Sequence, residues 1–419
     1  MTAVTGRAIT GCRFCGGALS VPFCDLGTMP LANSYLPAGH AREPEPAFPL
    51  EVRVCGDCWL AQLSHVVDEK AIFSDYAYFS SFSREWLAHA AAYAGAMRER
   101  LALGPSSFVA EVASNDGYLL RNFVAAGIPC LGIEPAANVA AAAVAAGVPT
   151  EVAFFGRETA QRLVARRGHA DLVAANNVLA HVPDVNDFVA GLSLLAGARG
   201  VVTIEAPHLL RLVGEAQFDT IYHEHYAYWS LHAMARVLRA HGLRVFDVER
   251  LATHGGSLRV FAAAASSPWC IPTARLDAVL QEERAAGVES AAYYAAFQPR
   301  VGAILEGARD WLARRRAAGE TVAGYGAAAK GNTFLNALRA GAGDLLCVAD
   351  RNPAKQGRLL PGSRIPVVSP RQLLERRPDV VLVLPWNLAR EISQDLSAIG
   401  AWGGRFAVAI PAMREWAAA

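Results

Sequence analysis

Short apolar runs alternate with alanine-rich stretches between about residue 87 and about residue 260. The runs SSFVAEVA, PCLGIEP, DLVAANNV and GVVTIEAP have the length and the β-branched content of buried strands. Between them, YLLRNFVAAG and NVAAAAVAAG have the composition of helices. Because strands that alternate with helices form parallel sheets, this stretch predicts a doubly wound parallel sheet.

A long amphipathic stretch separates this region from a second one of the same kind. In PRVGAILEGARDWLARRRAAG the apolar residues recur at helical spacing, which predicts a helix that links or braces two domains. Its apolar positions are Val301, Ile304, Leu305, Ala308 and Leu312. Beyond it, TVAGYGA, DLLCVAD, DVVLVLPW and RFAVAIP predict the strands of a second, smaller Rossmann-like unit.

Residues 1–75 lack a periodic pattern and are rich in Pro, Gly and Cys, as expected of a small irregular module that a core alone cannot hold. The sequence therefore predicts an α/β fold in three parts. These are a small zinc-binding N-terminal module over residues 1–75, a central Rossmann-like domain over 76–295 and a C-terminal Rossmann-like domain over 296–419.

Charge and hydropathy narrow the class of ligand. Lys and Arg number 39 against 38 Asp and Glu, a net charge of +1, so we expect no surface for nucleic acid or for an anionic membrane. No window reaches the apolar length of a membrane span, and MTAVTGRAITGC lacks the pattern of a signal peptide. We therefore expect a cytoplasmic protein that binds a small molecule and, for want of an evident dimer patch, is a monomer.

Four of the eight cysteines form two CxxC pairs, Cys12 with Cys15 and Cys55 with Cys58. Eight cysteines in 419 residues are too few for a disulfide scaffold, and paired cysteines in a reducing compartment indicate a metal. Since each CxxC turn can place both thiolates on one ion, the sequence predicts a structural tetrahedral zinc site. The alternative is four free thiols, and Cys24 is a spare that could replace one ligand.

The turn in FVAEVASNDGYLL carries small and polar residues where an open α/β sheet binds its ligand. It has a single glycine, so the fingerprint of NAD-binding folds is missing, and a ligand without phosphates is favoured. S-adenosylmethionine is such a ligand, and the acidic residue of GIEP stands where a ribose partner is expected. The alternative is an ordinary β-turn-α corner. The predicted cofactor-binding residues of this unit are Glu111, Ser114, Asn115, Asp116, Gly117 and Glu134.

FDTIYHEHYAYWS, residues 218–230, concentrates ionisable and aromatic side chains. As a strand or extended loop it would put Tyr222 and Glu224 on one face and His223 and His225 on the other, whereas a turn would mix them. One interpretation is a catalytic base, since histidine titrates near neutrality and a neighbouring carboxylate or phenol can orient it. The others are a metal site on the HxH pair and a packed, hydrogen-bonded corner.

A second polar cluster favours the catalytic interpretation. ANNVLAHVPD places Asn176, Asn177 and His181 just past the end of a predicted strand. Because open α/β sheets bind ligands at that edge, we expect both clusters to face one cleft. We assign Asn176 and Asn177 to the cofactor and His181 to the catalytic cluster.

GYGAAAKGNT in the C-terminal region satisfies the pattern G-x-G-x-x-G/A through Gly324, Gly326 and Ala329. Taken alone it indicates NAD, so an NAD-dependent oxidoreductase acting on a sugar nucleotide is the alternative function. Lys330 and Gly331 extend the loop in the manner of a phosphate cradle. A non-enzymatic binding module is the third hypothesis, but it would leave the polar clusters unexplained.

Together these motifs resemble the three-domain, S-adenosylmethionine-dependent sugar C-methyltransferases of antibiotic biosynthesis. The likeness runs nearly end to end, through the four paired cysteines and through DLGTMPLAN, DYAYFSSFS, EVASNDGYLL, NNVLAHVPD, FDTIYHEHYAYWS, HGGSLRV, GYGAAAKGNT and LPWN. It implies methylation at C3, next to a C4 ketone, of a deoxysugar linked to a nucleotide, taken as dTDP. The sugar, its substituent at C3 and the stereochemical outcome stay open.

The resemblance also implies residue roles. His225 is the leading base, with Tyr222 and Glu224 beside it and His181 and Tyr76 shaping the same cleft. Glu224 is expected to fix the tautomer of the histidine. The nucleotide half of the substrate is directed towards the C-terminal domain, where the diphosphate would meet a loop whose substrate-binding residues are Gly324, Gly326, Lys330 and Gly331.

Overall fold

The protein is described by a computed structural model that covers residues 5–73 and 79–418. Three main sheets follow one another along this part of the chain. The first belongs to the N-terminal module, the second is a long mixed sheet, and the third is a shorter mixed sheet near the C-terminus. A cavity lies where the three regions meet, and it is lined by residues from all of them.

The N-terminal module is built on antiparallel strands rather than on irregular loops. Its elements are β1 (Gly6–Ala8), β2 (Val21–Pro30), β3 (Leu36–Pro37), β4 (Ala47–Val54), β5 (Ala61–Leu63), β6 (His65–Val67) and the short helix α1 (Glu69–Phe73). β4 pairs with β2 on one side and with β5 on the other. Alternate residues of β4 point inward, so Leu50, Val52 and Val54 are fully buried.

A doubly wound sheet forms the centre of the molecule, as predicted. Its strands are β7 (Val109–Val112), β8 (Cys130–Glu134), β9 (Thr150–Val152), β10 (Leu172–Asn176), β11 (Val201–Pro207), β13 (Leu243–Leu251) and β14 (Ser257–Ala264), while β12 (Ala227–Tyr228) lies outside it. The order is β13-β14-β11-β10-β7-β8-β9. β14 is antiparallel to both of its neighbours, β13 and β11, and the remaining neighbouring pairs are parallel. Leu172 and Ala174 of β10 pack into one hydrophobic cluster and Val173 and Ala175 into another, so both faces are covered.

The helices around this sheet begin at polar caps. Ser83, Asp184, Ser230 and Thr273 each accept a hydrogen bond from a backbone amide in the first turn of the helix that follows. None of the helices in residues 5–73 and 79–418 combines the length and apolar character needed to cross a bilayer. The helices are α2 (Arg84–Arg100), α3 (Arg121–Ala125), α4 (Ala137–Ala145), α5 (Arg157–Arg167), α6 (Val185–Ala196), α7 (Leu209–Gly214), α8 (Leu231–Ala240), α9 (Ala274–Ala286), α10 (Ala291–Ala295) and α11 (Phe297–Ala317).

The long helix α11 braces the N-terminal and C-terminal regions. Four of its five predicted apolar positions are buried, and Leu305 packs against them from a partly buried position. Phe297, at its start, packs against Phe23 of β2, with ring centroids 4.8 Å apart. The same hydrophobic cluster continues into the C-terminal domain, so one core spans the junction.

The C-terminal domain repeats the strand–helix alternation. Its elements are β15 (Val322–Tyr325), α12 (Ala329–Leu338), β16 (Val348–Ala349), β17 (Arg358–Leu359), β18 (Val367–Val368), α13 (Pro370–Arg376), β19 (Val380–Val383), α14 (Ala389–Asp395), β20 (Arg405–Val408) and β21 (Arg414–Ala417). The sheet order is β18-β16-β15-β19-β20-β21, and only the pair of β20 and β21 is antiparallel. This is the second Rossmann-like unit that the sequence predicts.

Two strand pairings join regions that are distant in sequence. β12, from the central region, pairs antiparallel with β5 and completes the N-terminal sheet. β17, from the C-terminal domain, pairs with β3 of the N-terminal module. The three regions are therefore connected by backbone hydrogen bonds as well as by the shared core.

A buried carboxylate fastens α9 to the central domain. Glu283 accepts hydrogen bonds from His208 Nε2 and His232 Nδ1, both at 2.7 Å, and from the backbone amides of Leu231 and His232. Burial alone would raise the pKa of Glu283, but the hydrogen bonds from the two imidazoles hold it at about 2. The carboxylate therefore stays ionised and stabilises the fold above about pH 4.5.

Replacement of Glu283 by Ala should lower the free energy of unfolding by about 3–5 kcal/mol, because it leaves four buried donors without their acceptor. The neighbouring Glu282 is a matched control, since it pairs with Arg250 at the surface and its loss should cost about 0–1 kcal/mol. Urea unfolding of the Glu283→Ala and Glu282→Ala variants measures both. Equal effects in the two variants would contradict the role of Glu283.

Candidate active site

One cavity of about 890 Å³ joins the polar clusters that the sequence singles out. This volume lies within the range usual for small-molecule sites. All three regions contribute to its wall. Representative lining residues are Asn33, Trp86, Asn115, Glu134, Asn176, Asn177, His181, Tyr222, Glu224, His225, His254, Lys330 and Lys355.

Glu134, at the end of β8, organises the end of the cavity that was predicted to hold the cofactor. One of its carboxylate oxygens accepts the backbone amide of Asn115 and the other that of Ala136, both at 2.9 Å. Asn115 has a positive φ of 50° in the turn after β7. The turn continues to residue 120, so the helix predicted for YLLRNFVAAG begins only at Arg121. The strand ends therefore place an acceptor carboxylate on the cavity wall, where ribose hydroxyls could reach it.

Further acceptors lie behind this turn. Glu111 is almost fully buried, and burial, followed by the charges of Glu134 and Asp116, raises the pKa of its carboxyl well above the usual value. Among the described residues, one oxygen of Glu111, the Ser114 hydroxyl and one oxygen of Asp116 have no hydrogen-bond partner. Glu111, Ser114, Asp116 and Gly117 support the turn and do not line the cavity.

Asn176 and Asn177 stand at the end of β10, on the cavity wall. The Asn177 backbone amide donates to the carbonyl of Glu205 at 2.7 Å, and its φ is 54°. Within the part of the chain that the structure describes, Oδ1 of Asn176 and both polar atoms of the Asn177 side chain are buried without a partner. Buried polar atoms in native proteins are nearly always satisfied, so these amides indicate a ligand position.

The FDTIYHEHYAYWS segment forms a turn, which is the alternative in which side chains of the two faces mix. A 3₁₀ turn at Phe218–Thr220 is followed by a second turn at residues 223–224, and only Ala227–Tyr228 is a strand. The turn brings Tyr222 and His225 together, with Tyr222 Oη 2.7 Å from His225 Nε2. Side chains from both predicted faces therefore meet at one point.

The surroundings of His225 define its tautomer. Nδ1 lies 2.8 Å from the carbonyl oxygen of Thr220, which can only accept, so Nδ1 carries the proton. Nε2 then presents a lone pair, which accepts the Tyr222 hydroxyl. The carbonyl of Thr220, not the carboxylate of Glu224, fixes this arrangement. Sequence reasoning could not identify a backbone carbonyl as the orienting group.

Burial keeps this histidine neutral. The pKa of His225 is lowered well below its usual value, first by burial and then by the neighbouring His181. The two imidazole rings are 4.7 Å apart, edge to face, and burial likewise lowers the pKa of His181 to about 4. At neutral pH both are therefore neutral, and His225 is available as a base.

His223 belongs to a different environment. Its Nε2 is 3.2 Å from the carbonyl oxygen of Phe48, and its ring packs edge-on against the Phe48 ring. It does not line the cavity. The HxH pair thus does not converge on a metal, and the four-cysteine group is the one cluster of three or more potential ligands in residues 5–73 and 79–418.

Glu224 is held by the N-terminal module. Asn33 Nδ2 donates to Glu224 Oε1 at 2.6 Å. The backbone of the neighbouring Ala32 accepts in turn from Asn332 of α12. Sequence reasoning missed Asn33 as a site residue, although it closes the DLGTMPLAN motif. Tyr76, the remaining predicted catalytic residue, lies outside the described residues.

The C-terminal loop contributes cations to the cavity. Lys330 lies over the Trp386 ring at 5.2 Å, and burial lowers the pKa of its ammonium group. Lys355, which sequence reasoning missed, also lines the wall, 2.7 Å from the carbonyl of Ala327 and 3.7 Å from a carboxylate oxygen of Asp350. Two lysines of this domain thus line the cavity.

The three loop glycines are required by packing inside the domain. Gly326 has a φ of 93°, and a Cβ there would collide with Pro385. A Cβ on Gly324 would lie 2.8 Å from Val348, and one on Gly331 would lie 2.9 Å from Leu384. None of the three lines the cavity. Of the four loop residues predicted to bind substrate, Lys330 alone lines the cavity.

The paired cysteines form a closed four-thiol group. The sulfurs of Cys12 and Cys58 are 3.5 Å apart, as are those of Cys15 and Cys55, and all four lie within 4.8 Å of one another. Zn–S bonds of about 2.3 Å place the sulfurs of a tetrahedral site about 3.8 Å apart, so the group fits zinc. Cys24 is buried elsewhere, in the core around β2, and is not a ligand.

Comparison with known proteins gives three family matches along the chain. Residues 12–73 match a model described as "Putative zinc binding domain". Residues 85–248 match a methyltransferase domain, and residues 252–411 match a C-methyltransferase C-terminal domain. The chain is also 37% identical over 408 residues to the C-methyltransferase NovU of Streptomyces niveus, with 97% of each chain covered.

Solved structures resemble parts of the chain. A magnesium protoporphyrin IX methyltransferase from Synechocystis, with bound SAH, is 18% identical with a TM-score of 0.34 and covers 43% of this chain and 83% of its own. An S-adenosylmethionine-dependent methyltransferase from Anabaena variabilis is 11% identical with a TM-score of 0.35 and covers 42% and 84%. At these scores neither likeness bears on the function of this chain.

Purified protein should contain one zinc per chain, and Cys55→Ser should lose it together with the folded N-terminal module, because the binding energy of a structural zinc is folding energy. Cys24→Ala is the matched control, since Cys24 is an equally buried cysteine outside the group. Inductively coupled plasma mass spectrometry and thermal unfolding measure both effects. Retention of zinc by Cys55→Ser, or its loss from Cys24→Ala, would disprove the ligand assignment.

Proposed function

We propose that this chain, which belongs to the family of S-adenosylmethionine-dependent C-methyltransferases with an N-terminal zinc-binding domain, methylates C3 of a 4-keto-deoxysugar linked to a nucleotide, taken as dTDP. The observation that carries the proposal is the neutral imidazole of His225, whose Nε2 lone pair stands on the wall of the cavity. The same cavity has a cofactor end rich in acceptors and a C-terminal side that carries two lysines.

The proposed reaction starts with the C–H bond at C3. A C–H bond beside a ketone can be broken by a histidine if the enolate oxygen is stabilised. His225 takes the proton on Nε2, the C–H electron pair becomes the C3–C4 double bond, and the carbonyl pair moves onto oxygen. When bound, S-adenosylmethionine would supply an electrophilic methyl group for C3, and its sulfur would keep the bond pair as S-adenosylhomocysteine while the C4 ketone re-forms. The proton on His225 then passes to solvent.

The hydroxyl of Tyr222 has two roles in the proposed reaction. In the free protein its hydroxyl is 2.7 Å from the atom that must receive the proton. A ketone oxygen bound nearby would draw the hydroxyl proton away from Nε2 and so free the lone pair. The same hydroxyl then donates to the enolate oxygen as charge develops there. His181 lies against the His225 ring and shapes the cleft, and Glu224, held by Asn33, completes the wall.

The two ends of the cavity support a division between cofactor and substrate. Asn115, Glu134, Asn176 and Asn177 offer acceptors and amides to the S-adenosylmethionine end. On the other side, Lys330 and Lys355 line the same wall and would compensate the negative charge of a diphosphate. Tyr76 keeps its proposed catalytic role on the strength of the resemblance alone.

His225→Asn should lower kcat by about 10²- to 10⁴-fold, because an amide cannot accept the C3 proton. The dissociation constant for S-adenosylhomocysteine should not change, since His225 is not among the proposed cofactor residues. NMR of the product formed from S-adenosylmethionine and a dTDP-linked 4-keto-deoxysugar measures methyl transfer and its position. His223→Asn is the control, because that histidine contacts Phe48 outside the cavity, and it should keep activity close to that of the unmodified protein.

Full activity of the His225→Asn variant would show that His225 is not the base. A methyl group on oxygen or on another carbon would overturn the assignment to C3.

Isothermal titration calorimetry should show that S-adenosylmethionine binds and NAD does not. The expectation follows from the single glycine at the first turn, and from loop glycines in the C-terminal domain that are explained by packing. Lys330→Ala and Lys355→Ala should leave the affinity for S-adenosylmethionine unchanged and raise the KM for the sugar nucleotide. Binding of NAD alone would restore the oxidoreductase hypothesis.

A further inference from the structure

Arg13, between the zinc ligands Cys12 and Cys15, reaches out of the zinc-binding module into the active-site region. Its Nη1 donates to the carbonyls of Val182 and Pro183, both at 2.9 Å, and its Nη2 donates to the carbonyl of Tyr226. One planar guanidinium therefore holds two separate segments of the central domain. Each of these segments carries a histidine of the cavity at its edge.

The two segments are those that position the imidazoles. Val182 directly follows His181, and Tyr226 directly follows His225. The backbone amide of Tyr226 also donates to the carbonyl of Ala180 at 2.7 Å, so the segments contact each other. A guanidinium that fixes the carbonyls of residues 182 and 226 therefore fixes the edge-to-face contact between the two rings.

The other side of Arg13 is anchored at the thiol group. Its backbone amide donates to Gln62 Oε1 at 2.9 Å, and Nε2 of the same Gln62 lies 3.1 Å from Cys12 Sγ. Asn186, on α6, donates through Nδ2 to the carbonyls of Arg13 and Phe14 at 3.2 and 2.9 Å. The cysteine turn is thus held on both faces, and Arg13 cannot shift independently of it.

The charge of Arg13 also points to the metal group. All three of its acceptors are neutral carbonyls, and its Nε is buried without a partner in the described part of the chain. A buried cation normally has an anionic partner. Zn²⁺ with four thiolates has a net charge of about −2, and Arg13 is next to one of those ligands in sequence. A loaded zinc site and the carboxylate of Asp184 are therefore two anionic groups that would compensate the guanidinium.

We propose that Arg13 is a positioning residue that couples the zinc site to the two cavity histidines, so that the metal module orders the catalytic centre as well as its own fold. The roles of His181 and His225 in this statement rest on the proposed function. Arginine is required because lysine has no planar fork with which to hold divergent carbonyls. Loss of this support should reduce kcat by about 10- to 100-fold with little change in KM.

The test compares full-length, zinc-loaded Arg13→Lys and Arg13→Gln with Arg53→Lys. Arg53 is the matched control, because it also lies in the zinc module and donates to a backbone carbonyl, that of Leu19 at 2.9 Å, but touches neither histidine segment. Long-range ¹H–¹⁵N correlation spectra report the tautomer and environment of each imidazole, with His225→Asn and His181→Asn used for assignment. Zinc content and the affinity for S-adenosylhomocysteine are measured on the same samples.

We expect the His225 and His181 resonances to shift or broaden in both Arg13 variants and to stay unchanged in Arg53→Lys, with zinc content and cofactor affinity retained in all three. Unchanged resonances in the Arg13 variants would overturn the proposal. Loss of zinc from both Arg13 variants would also overturn it, since Arg13 would then hold the metal site rather than the histidines. Because the spectra need no substrate, shifted resonances in a protein that methylates no sugar would refute the proposed function and leave the role of Arg13 standing.

Discussion

The hydrogen bond from Nδ1 of His225 to the carbonyl of Thr220 determines which nitrogen of this buried imidazole can accept a proton. A neutral imidazole can place its proton on either nitrogen, and this carbonyl accepts only from Nδ1. Nε2 is consequently the basic atom, and it stands on the cavity wall beside Tyr222. Burial adds the second requirement, because it lowers the pKa of the ring and keeps it unprotonated at neutral pH. Contacts with Tyr222 and His181 surround the ring.

The residues around the site come from all three regions of the chain. From the N-terminal module, Asn33 donates a hydrogen bond to Glu224, and Arg13 donates to the backbone beside both histidines. From the C-terminal domain, Lys330 lines the cavity. Two long-range strand pairings and one shared core keep the regions in a fixed relation. A site assembled in this way can be rigid without any one domain providing a complete set of groups, which suits a reaction that needs its base, cofactor and substrate aligned together.

Local pattern was sufficient to predict much of this molecule. The strand–helix alternation predicted both Rossmann-like units, and the cysteine spacing predicted the four-thiol group, since each depends on residues close in sequence. The sequence left the conformation of FDTIYHEHYAYWS open between a strand and a turn, because tyrosine and histidine fit both and tertiary contacts decide between them. Arg13, Asn33 and Lys355 were missed as site residues for a related reason. Each contacts residues that are distant in sequence, and the spacing of residues within a motif does not predict such contacts.

The pairing of β12 with β5 has a consequence for how the chain is made. Residues 61–63 leave the ribosome long before residues 227–228, so the N-terminal sheet has an open edge for much of synthesis. All three residues of β5 are buried in the finished protein, and an unpaired strand of this kind is a template for pairing with another chain. Zinc binding can fold the cysteine turns early, but only the central domain can close the sheet. A fragment that ends before β12 would therefore expose the unpaired edge of β5 and would be prone to aggregate. In the full-length chain β12 covers this edge at a late stage of folding.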